Sequence, residues 1–389
     1  MDLSQSTFML SQSAQLTAAQ QALTARIEAF IQAHKHDEQA AVFVLSGDAG
    51  SGKSVVLNAV FTKLRQPGMH LLVNHNEMLK VYKEVAAITP NVLKKDYEKP
   101  TPFINRMTKQ HQRASVVFVD EAQMLLSHAD PFNAYRGDNQ LSDLMRLAHV
   151  VVLVEDFHQV VKFKSHWDEA LLTKTLAGHV VEFASLHQQM RMQDPQVSNW
   201  INAFITKRQL LPMPHPQAYD LRVFDDGVPL YDWVKAHDAK AGLSRMIATT
   251  DFPFRVFGAR TWWVDAGRLH LPWDKINFTD RPWASRPETL HEVGSVYTIQ
   301  GFDLNYAGVI LGPSLDYDPV AKRLIVDSTR FEDQEALRRR EGLGEAEKEA
   351  VILNVANILM KRGRKGLGLY AVNPCLEKEL LRCFGKRRR

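Results

Sequence analysis

Gly47, Gly52, Lys53 and Ser54 stand in the spacing G-x-x-x-x-G-K-S, and those residue types at those intervals suit one kind of chemistry. Glycines let a chain wrap so that successive backbone N–H groups point at phosphate oxygens. The lysine then reaches the β- and γ-phosphates of a nucleoside triphosphate, and the next hydroxyl is a ligand for Mg²⁺. Asp48, Ala49, Gly50, Ser51 and Val55 complete the expected cradle. Further on, Asp120 and Glu121 close an apolar run, 116–119. Asp120 is expected to hold Mg²⁺ with Ser54. Glu121 is expected to orient and deprotonate an attacking water. ATP and Mg²⁺ are therefore the predicted cofactors, with Lys53 and Glu121 as catalytic groups.

Chemistry of this kind needs a rigid frame. Residues 41–45, AVFVL, predict a buried strand running into the glycine loop, and VVLNAVFTKL after Ser54 predicts a helix whose N-terminus faces the phosphates. Further strands are predicted at 70–74, 116–119, 150–154 and 179–183, alternating with helices, which implies a parallel α/β sheet. A helix over 16–34 precedes them, with Thr17 as its N-cap. Residues 1–15 are Ser/Gln-rich and read as a flexible arm, and 88–105 read as a loop with Pro90, Pro100 and Pro102. From 186 the pattern restarts. Residues 229–247 read as a helix, 291–313 as strand–turn–strand, 329–350 as a charged helical stretch, and 354–374 as helix, basic turn and strand.

Bulk properties bound the class. With 389 residues, 45% hydrophobic and 24% charged, the chain reads as a soluble protein of two or three domains. The formal charge of +4 is compatible with nucleic acid, and basic clusters lie at 361–365 and 386–389. Two cysteines, Cys375 and Cys383, are too few for a four-cysteine zinc site or a secreted disulfide framework. They read as reduced thiols in a cytoplasmic protein. No signal-peptide pattern opens the chain, and no apolar stretch approaches bilayer length, so no membrane partner is expected.

The later motifs resemble those of superfamily-one helicases. LTAAQ, 16–20, resembles the Q motif, which implies that Gln20 reads adenine. EDFHQ, 155–159, resembles the third motif, whose glutamine, here Gln159, senses the γ-phosphate; Glu155 stands where Gly is usual. Gln189-Met190-Arg191 resembles motif four, which implies that Arg191 reaches the γ-phosphate. VYTIQGFD, 296–303, resembles motif five, with Gly301 and Asp303 on the nucleotide side and Asp303 where Glu is commoner. LMKRGRKG places Arg362 as a second arginine finger, with Lys361 where Thr is usual. A closer likeness is to a family of bacterial P-loop proteins related to the helicase part of Schlafen proteins. LVNHNEMLKVY, YEKPTPFIN, VDEAQ, EVGSVYTIQGFDLNYAGVILGP, YDP and LMKRGRKG follow that family's order, over about residues 16–382.

This implies two RecA-like lobes, 16–184 and 185–389, meeting near 184 with ATP and Mg²⁺ between them. The second is expected to carry a small aromatic-rich insertion at about 205–290. Asn74, His75, Thr101, Asn105, Thr298 and Gln300 are candidate contacts to a nucleic-acid strand. Trp262, Trp263, Trp273 and Trp283, which with Trp233 make five of the seven tryptophans, are candidates for base stacking. The leading expectation is an ATP-dependent helicase or translocase on DNA or RNA. The alternative is an ATP-driven switch acting on a protein partner, such as a nuclease or phage-defence subunit, without unwinding. A small-molecule P-loop kinase is a third reading, and it leaves the second motif block without a purpose.

Overall fold

The computed structural model describes residues 15–47, 50–131, 134–156, 167, 169–186, 194–255, 261–299, 301–337 and 344–385. The chain divides into two compact units, 1–190 and 191–389. Each is a mixed α/β unit built on a mainly parallel sheet. The predicted arm, and Asp48, Ala49, Gln159, Arg191 and Gln300, lie outside the described residues, apart from Gln15.

The first unit opens with α1 (Ala18–His34), started by a capping box between Thr17 and Gln20 and burying Leu23, Ile27, Phe30 and Ile31 on one face. Its sheet contains β1 (Ala41–Gly47), β2 (Met69–Val73), β3 (Tyr97–Glu98), β4 (Ala114–Asp120), β5 (Ala148–Glu155) and β6 (Val180–Leu186). The strand order is β3-β2-β4-β5-β1-β6, and every pair is parallel. The Val-rich runs of β4 and β5 are buried along nearly their whole length, because helices cover both faces of a parallel sheet. Those helices are α2 (Lys53–Leu64), α3 (Asn76–Ile88), α4 (Pro100–Gln110), α5 (Gln140–Leu147) and α6 (Glu169–Leu176). The Pro-rich stretch expected to be a loop becomes helix from Pro100 onward. Proline at the first helical position gives up an N–H that had no partner there anyway.

The second unit contains α7 (Pro195–Thr206), β7 (Asp220–Val223), α8 (Gly227–Ala241), β8 (Ser244–Ala248), β9 (Trp263–Ala266), β10 (Leu269–Asp274), β11 (Val293–Gly294), a one-turn α9 (Val296–Ile299), β12 (Leu304–Leu311), β13 (Leu315–Asp318), β14 (Arg323–Val326), α10 (Glu345–Met360), β15 (Gly363–Ala371) and α11 (Pro374–Gly385). The main sheet runs β7-β15-β12-β8-β11-β10-β9, antiparallel only between β9 and β10, and β13 pairs with β14 apart from it.

Residues 205–290 are therefore not set aside as an insertion. They supply β7, α8 and the central strand β8, and only the β9–β10 hairpin departs from the parallel pattern. The aromatics that marked this stretch as unusual are largely core. Trp283 is fully buried and Trp273 nearly so, packed with Phe252, while Trp233 lies beside His237 and Tyr306. Trp263 is 40% exposed, its ring stacked on His270 at 4.2 Å. Among the described residues no helix is long and apolar enough to cross a membrane, and both cysteines are free thiols.

Candidate functional site

β1 delivers its last residue, Gly47, into the glycine loop, and α2 begins at Lys53. Gly52 caps that helix with φ +89°, a backbone conformation that a side chain would strain. A Cβ there would also collide with the Gln20 amide. Gln20 is buried. Its Oε1 accepts from the Thr17 N–H at 3.0 Å, and its Nε2 donates to the Ser51 carbonyl at 3.5 Å. As placed, Gln20 ties α1 to the phosphate-binding loop.

Strand order brings the two halves of the predicted chemistry together. β1 and β4 both flank β5, so their C-terminal ends open on the same edge of the sheet. The Ser54 hydroxyl donates to Asp120 Oδ1 at 3.1 Å. Lys53 is nearly buried; its ammonium bonds the Gly47 carbonyl and lies 3.7 Å from Asp156 Oδ2, just past β5. Asp120 is 1% exposed, and burial pushes its carboxyl above the ordinary range. Hydrogen bonds from Tyr82, Ser54 and the Glu121 N–H, with the Lys53 charge, pull the other way and do not fully offset it. A buried carboxylate still short of positive charge, with a hydroxyl beside it, is a hard-oxygen donor set that suits Mg²⁺. The residues present therefore fit the metal that the motif implies.

Five contacts here carry no local sequence signal. Tyr82, on α3, is fully buried and donates to Asp120 Oδ2 at 2.7 Å. It stacks on Tyr97 at 5.3 Å, and the Tyr97 hydroxyl donates to Asn58 Oδ1 on α2 at 3.1 Å. Gln123 is 1% exposed; its Nε2 donates to Glu121 Oε2, and its Oε1 accepts from the Asp156 N–H at 3.1 Å. Glu121 sits at φ +52°, an uncommon conformation for a side-chain-bearing residue, which turns it away from the strand line.

The nucleic-acid candidates scatter. The Asn74 amide donates to the Met124 carbonyl at 2.7 Å. His75 is buried as the N-cap of α3. Thr101 is buried and accepts from Gln140 Nε2 at 2.9 Å. Thr298 is buried and caps α9 with Ser295. Asn105 is exposed, on an open groove of about 460 Å³ also lined by Thr108, Lys109, Arg136 and Arg146. In the second unit, Arg362 is 2% exposed and points its Nη1 at the Phe302 carbonyl, 3.5 Å away, while its own carbonyl accepts from the Leu304 N–H. Arg362 and the Gly301–Asp303 turn, far apart in sequence, are thus neighbours.

The model of the Schlafen group 3 DNA/RNA helicase-domain family matches residues 40–373. The uncharacterized protein YPL245W of Saccharomyces cerevisiae is 36% identical over 94% of this chain and 90% of its own. The helicase-type relationship that the motifs suggested is thereby supported, and this relative is fungal, whereas the motifs pointed to a bacterial family. Among solved structures, Pif1 helicase from Candida albicans aligns over 58% of this chain and 54% of its own, at 14% identity and TM-score 0.32. A Pif1 structure concerned with unwinding of forked double-stranded DNA covers 91% and 92%, at 11% identity and TM-score 0.33. The fold described above rests on strand order and not on these two likenesses.

Proposed function

This chain belongs to the Schlafen group 3 DNA/RNA helicase-domain family, and from that premise we propose that it hydrolyses ATP and couples the cycle to movement on, or remodelling of, a nucleic-acid strand. One observation carries the ATPase reading. Lys53 and Ser54, which open α2 after β1, and Asp120 and Glu121, at the end of β4, meet at one sheet edge, Ser54 bonded to Asp120 at 3.1 Å. Lys53 neutralises charge on the β- and γ-phosphates. Glu121, held by Gln123, takes the proton of a water that attacks the γ-phosphorus. The bond to the bridging oxygen breaks, and ADP and inorganic phosphate leave. Ser54 and Asp120 would hold Mg²⁺, which would supply neutralising positive charge at the triphosphate.

Gln159 keeps its proposed role as γ-phosphate sensor, and Arg191 its proposed role as an arginine finger reaching the γ-phosphate. Arg362, beside Gly301 and Asp303, keeps its proposed role as a charge-stabilising arginine. Asn105, exposed on its groove, is the strongest strand contact among the candidates, with Asn74 and Gln300 retained. His75, Thr101 and Thr298 serve internal hydrogen bonds and are the weakest.

The test is steady-state ATP hydrolysis with and without single-stranded DNA, duplex DNA and RNA, with Lys53→Ala as the blank. Stimulation by one polymer that fades with added salt supports the proposal. Hydrolysis indifferent to all three moves the reading to a switch acting on a protein partner. The Tyr82 hydroxyl gives a narrower test. Tyr82→Phe removes a neutral donor to a buried carboxylate, a bond of about 1.5 kcal/mol or more. The Mg²⁺ concentration for half-maximal hydrolysis is expected to shift by roughly tenfold, read from a Mg²⁺ titration at fixed ATP.

A further inference from the structure

Three lysines gather on the first unit, away from the phosphate-binding loop. Lys80 and Lys83 stand three residues apart on α3, the spacing that makes side chains neighbours on one helix surface. Lys99 follows β3 directly and precedes α4. The Tyr82–Tyr97 stack, 5.3 Å between rings and 13° from parallel, fixes the end of β3 against α3 between those two lysines. Burial holds the Lys99 ammonium below its ordinary range, and the charges of Lys80 and Lys83 push it lower.

Lys80 has a counter-charge in Glu77. Among the described residues, Lys83 and Lys99 have neither a hydrogen-bonded acceptor nor an ion-pair partner. A partly buried ammonium beside two like charges is unfavourable unless an anion arrives from outside. That anion is not the triphosphate of the loop. β3 lies four strand positions from β1, roughly 19 Å at the usual strand spacing. The cluster does open at the C-terminal ends of β2 and β3, the edge of the sheet on which the loop and Asp120 also lie.

We propose that Lys80, Lys83 and Lys99 bind the phosphodiester backbone of a nucleic-acid strand on the first unit. This rests on the nucleic-acid reading above and gives it a place. α3 also carries Tyr82 to Asp120, so an occupied lysine site adjoins the helix that braces the metal carboxylate.

The experiment measures binding of a fluorescein-labelled oligo-dT, and of the matching oligo-U, by anisotropy across a salt series. It compares the wild-type chain with Lys83→Ala and with Lys83→Ala/Lys99→Ala. A single-strand phosphate contact contributes about 0.7 to the slope of log affinity on log salt. The double variant is expected to lose about 1.4 from that slope and to bind on the order of 10- to 100-fold more weakly at low salt. Lys83→Ala, at an exposed position, is expected to lose about 0.7 from the slope and so reports even if the Lys99 change disturbs folding. A wild-type slope in both variants, with the wild-type chain binding strongly, overturns the lysine site and leaves the nucleic-acid reading standing. A wild-type chain that binds neither oligonucleotide overturns both. Displacement of the oligonucleotide by inorganic phosphate, beyond what chloride achieves at equal ionic strength, assigns the site to a free anion and overturns the proposal.

Discussion

Glu121→Gln is expected to bind ATP with near wild-type affinity and to turn it over 10²- to 10⁴-fold more slowly, the range that a positioned general base contributes. The substitution keeps the side chain's size and its bond to Gln123, since Gln123 Nε2 can donate to the new amide oxygen. It removes only the group that accepts a proton. The buried charge at Asp120 is untouched, so the groups that hold the nucleotide and the metal remain. Nucleotide binding by fluorescence, alongside single-turnover hydrolysis, separates the two effects. Equal loss of binding and turnover would mean that Glu121 supports the fold of the loop instead of the chemistry. Unchanged turnover would move the base elsewhere. Gln123→Ala provides the positioning counterpart. It removes the hydrogen bonds that Gln123 makes to the Glu121 carboxylate and to the Asp156 N–H, so its turnover should fall by a smaller factor than that of Glu121→Gln.

The frame of this site was readable because its signals are local. β1, α2, β4 and β5 are each marked by their own residues, a Val-rich run or a capped apolar stripe, and parallel strands buried on both faces give the strongest such runs. Thr17 likewise announces the start of α1 as its N-cap. What the sequence conceals is pairing across distance. Tyr82 reaches Asp120 over 38 positions and Gln123 reaches Asp156 over 33, and neither residue type at its position implies its partner. The same blindness affects polar residues near turns. Thr101 and Thr298 sit where a strand contact could be, and each instead completes a buried hydrogen bond.

The stretch 205–290 was obscured for another reason. Its strands are four to six residues long, too short to show a period, and its tryptophans look the same in sequence whether they face a ligand or a core. Only the sheet order shows that β8 lies between β12 and β11, with the neighbouring aromatics packed behind it.

One buried group in that second sheet should dominate its response to pH. Asp251 follows β8, is 4% exposed, and presses on the Gly312 backbone after β12. Burial raises its carboxyl to about 6, against a hydrogen bond from the Thr249 hydroxyl that pulls it down. The unfolded chain releases that proton near pH 4, the folded chain only near pH 6. Between those values the folded state binds more protons, so stability falls as pH rises, and above pH 6 the full penalty is present. Two pK units correspond to about 3 kcal/mol. Asp251→Asn is isosteric and never ionises. Relative to wild type it is expected to gain about 2 kcal/mol in stability between pH 4 and pH 7.5, read from denaturant midpoints at both values. The useful quantity is this change with pH, because any cost of replacing the carboxyl by an amide is the same at both ends. A difference between the two proteins that stays flat across the range would mean that Asp251 ionises at an ordinary pH, with Thr249 donating strongly enough to cancel its burial.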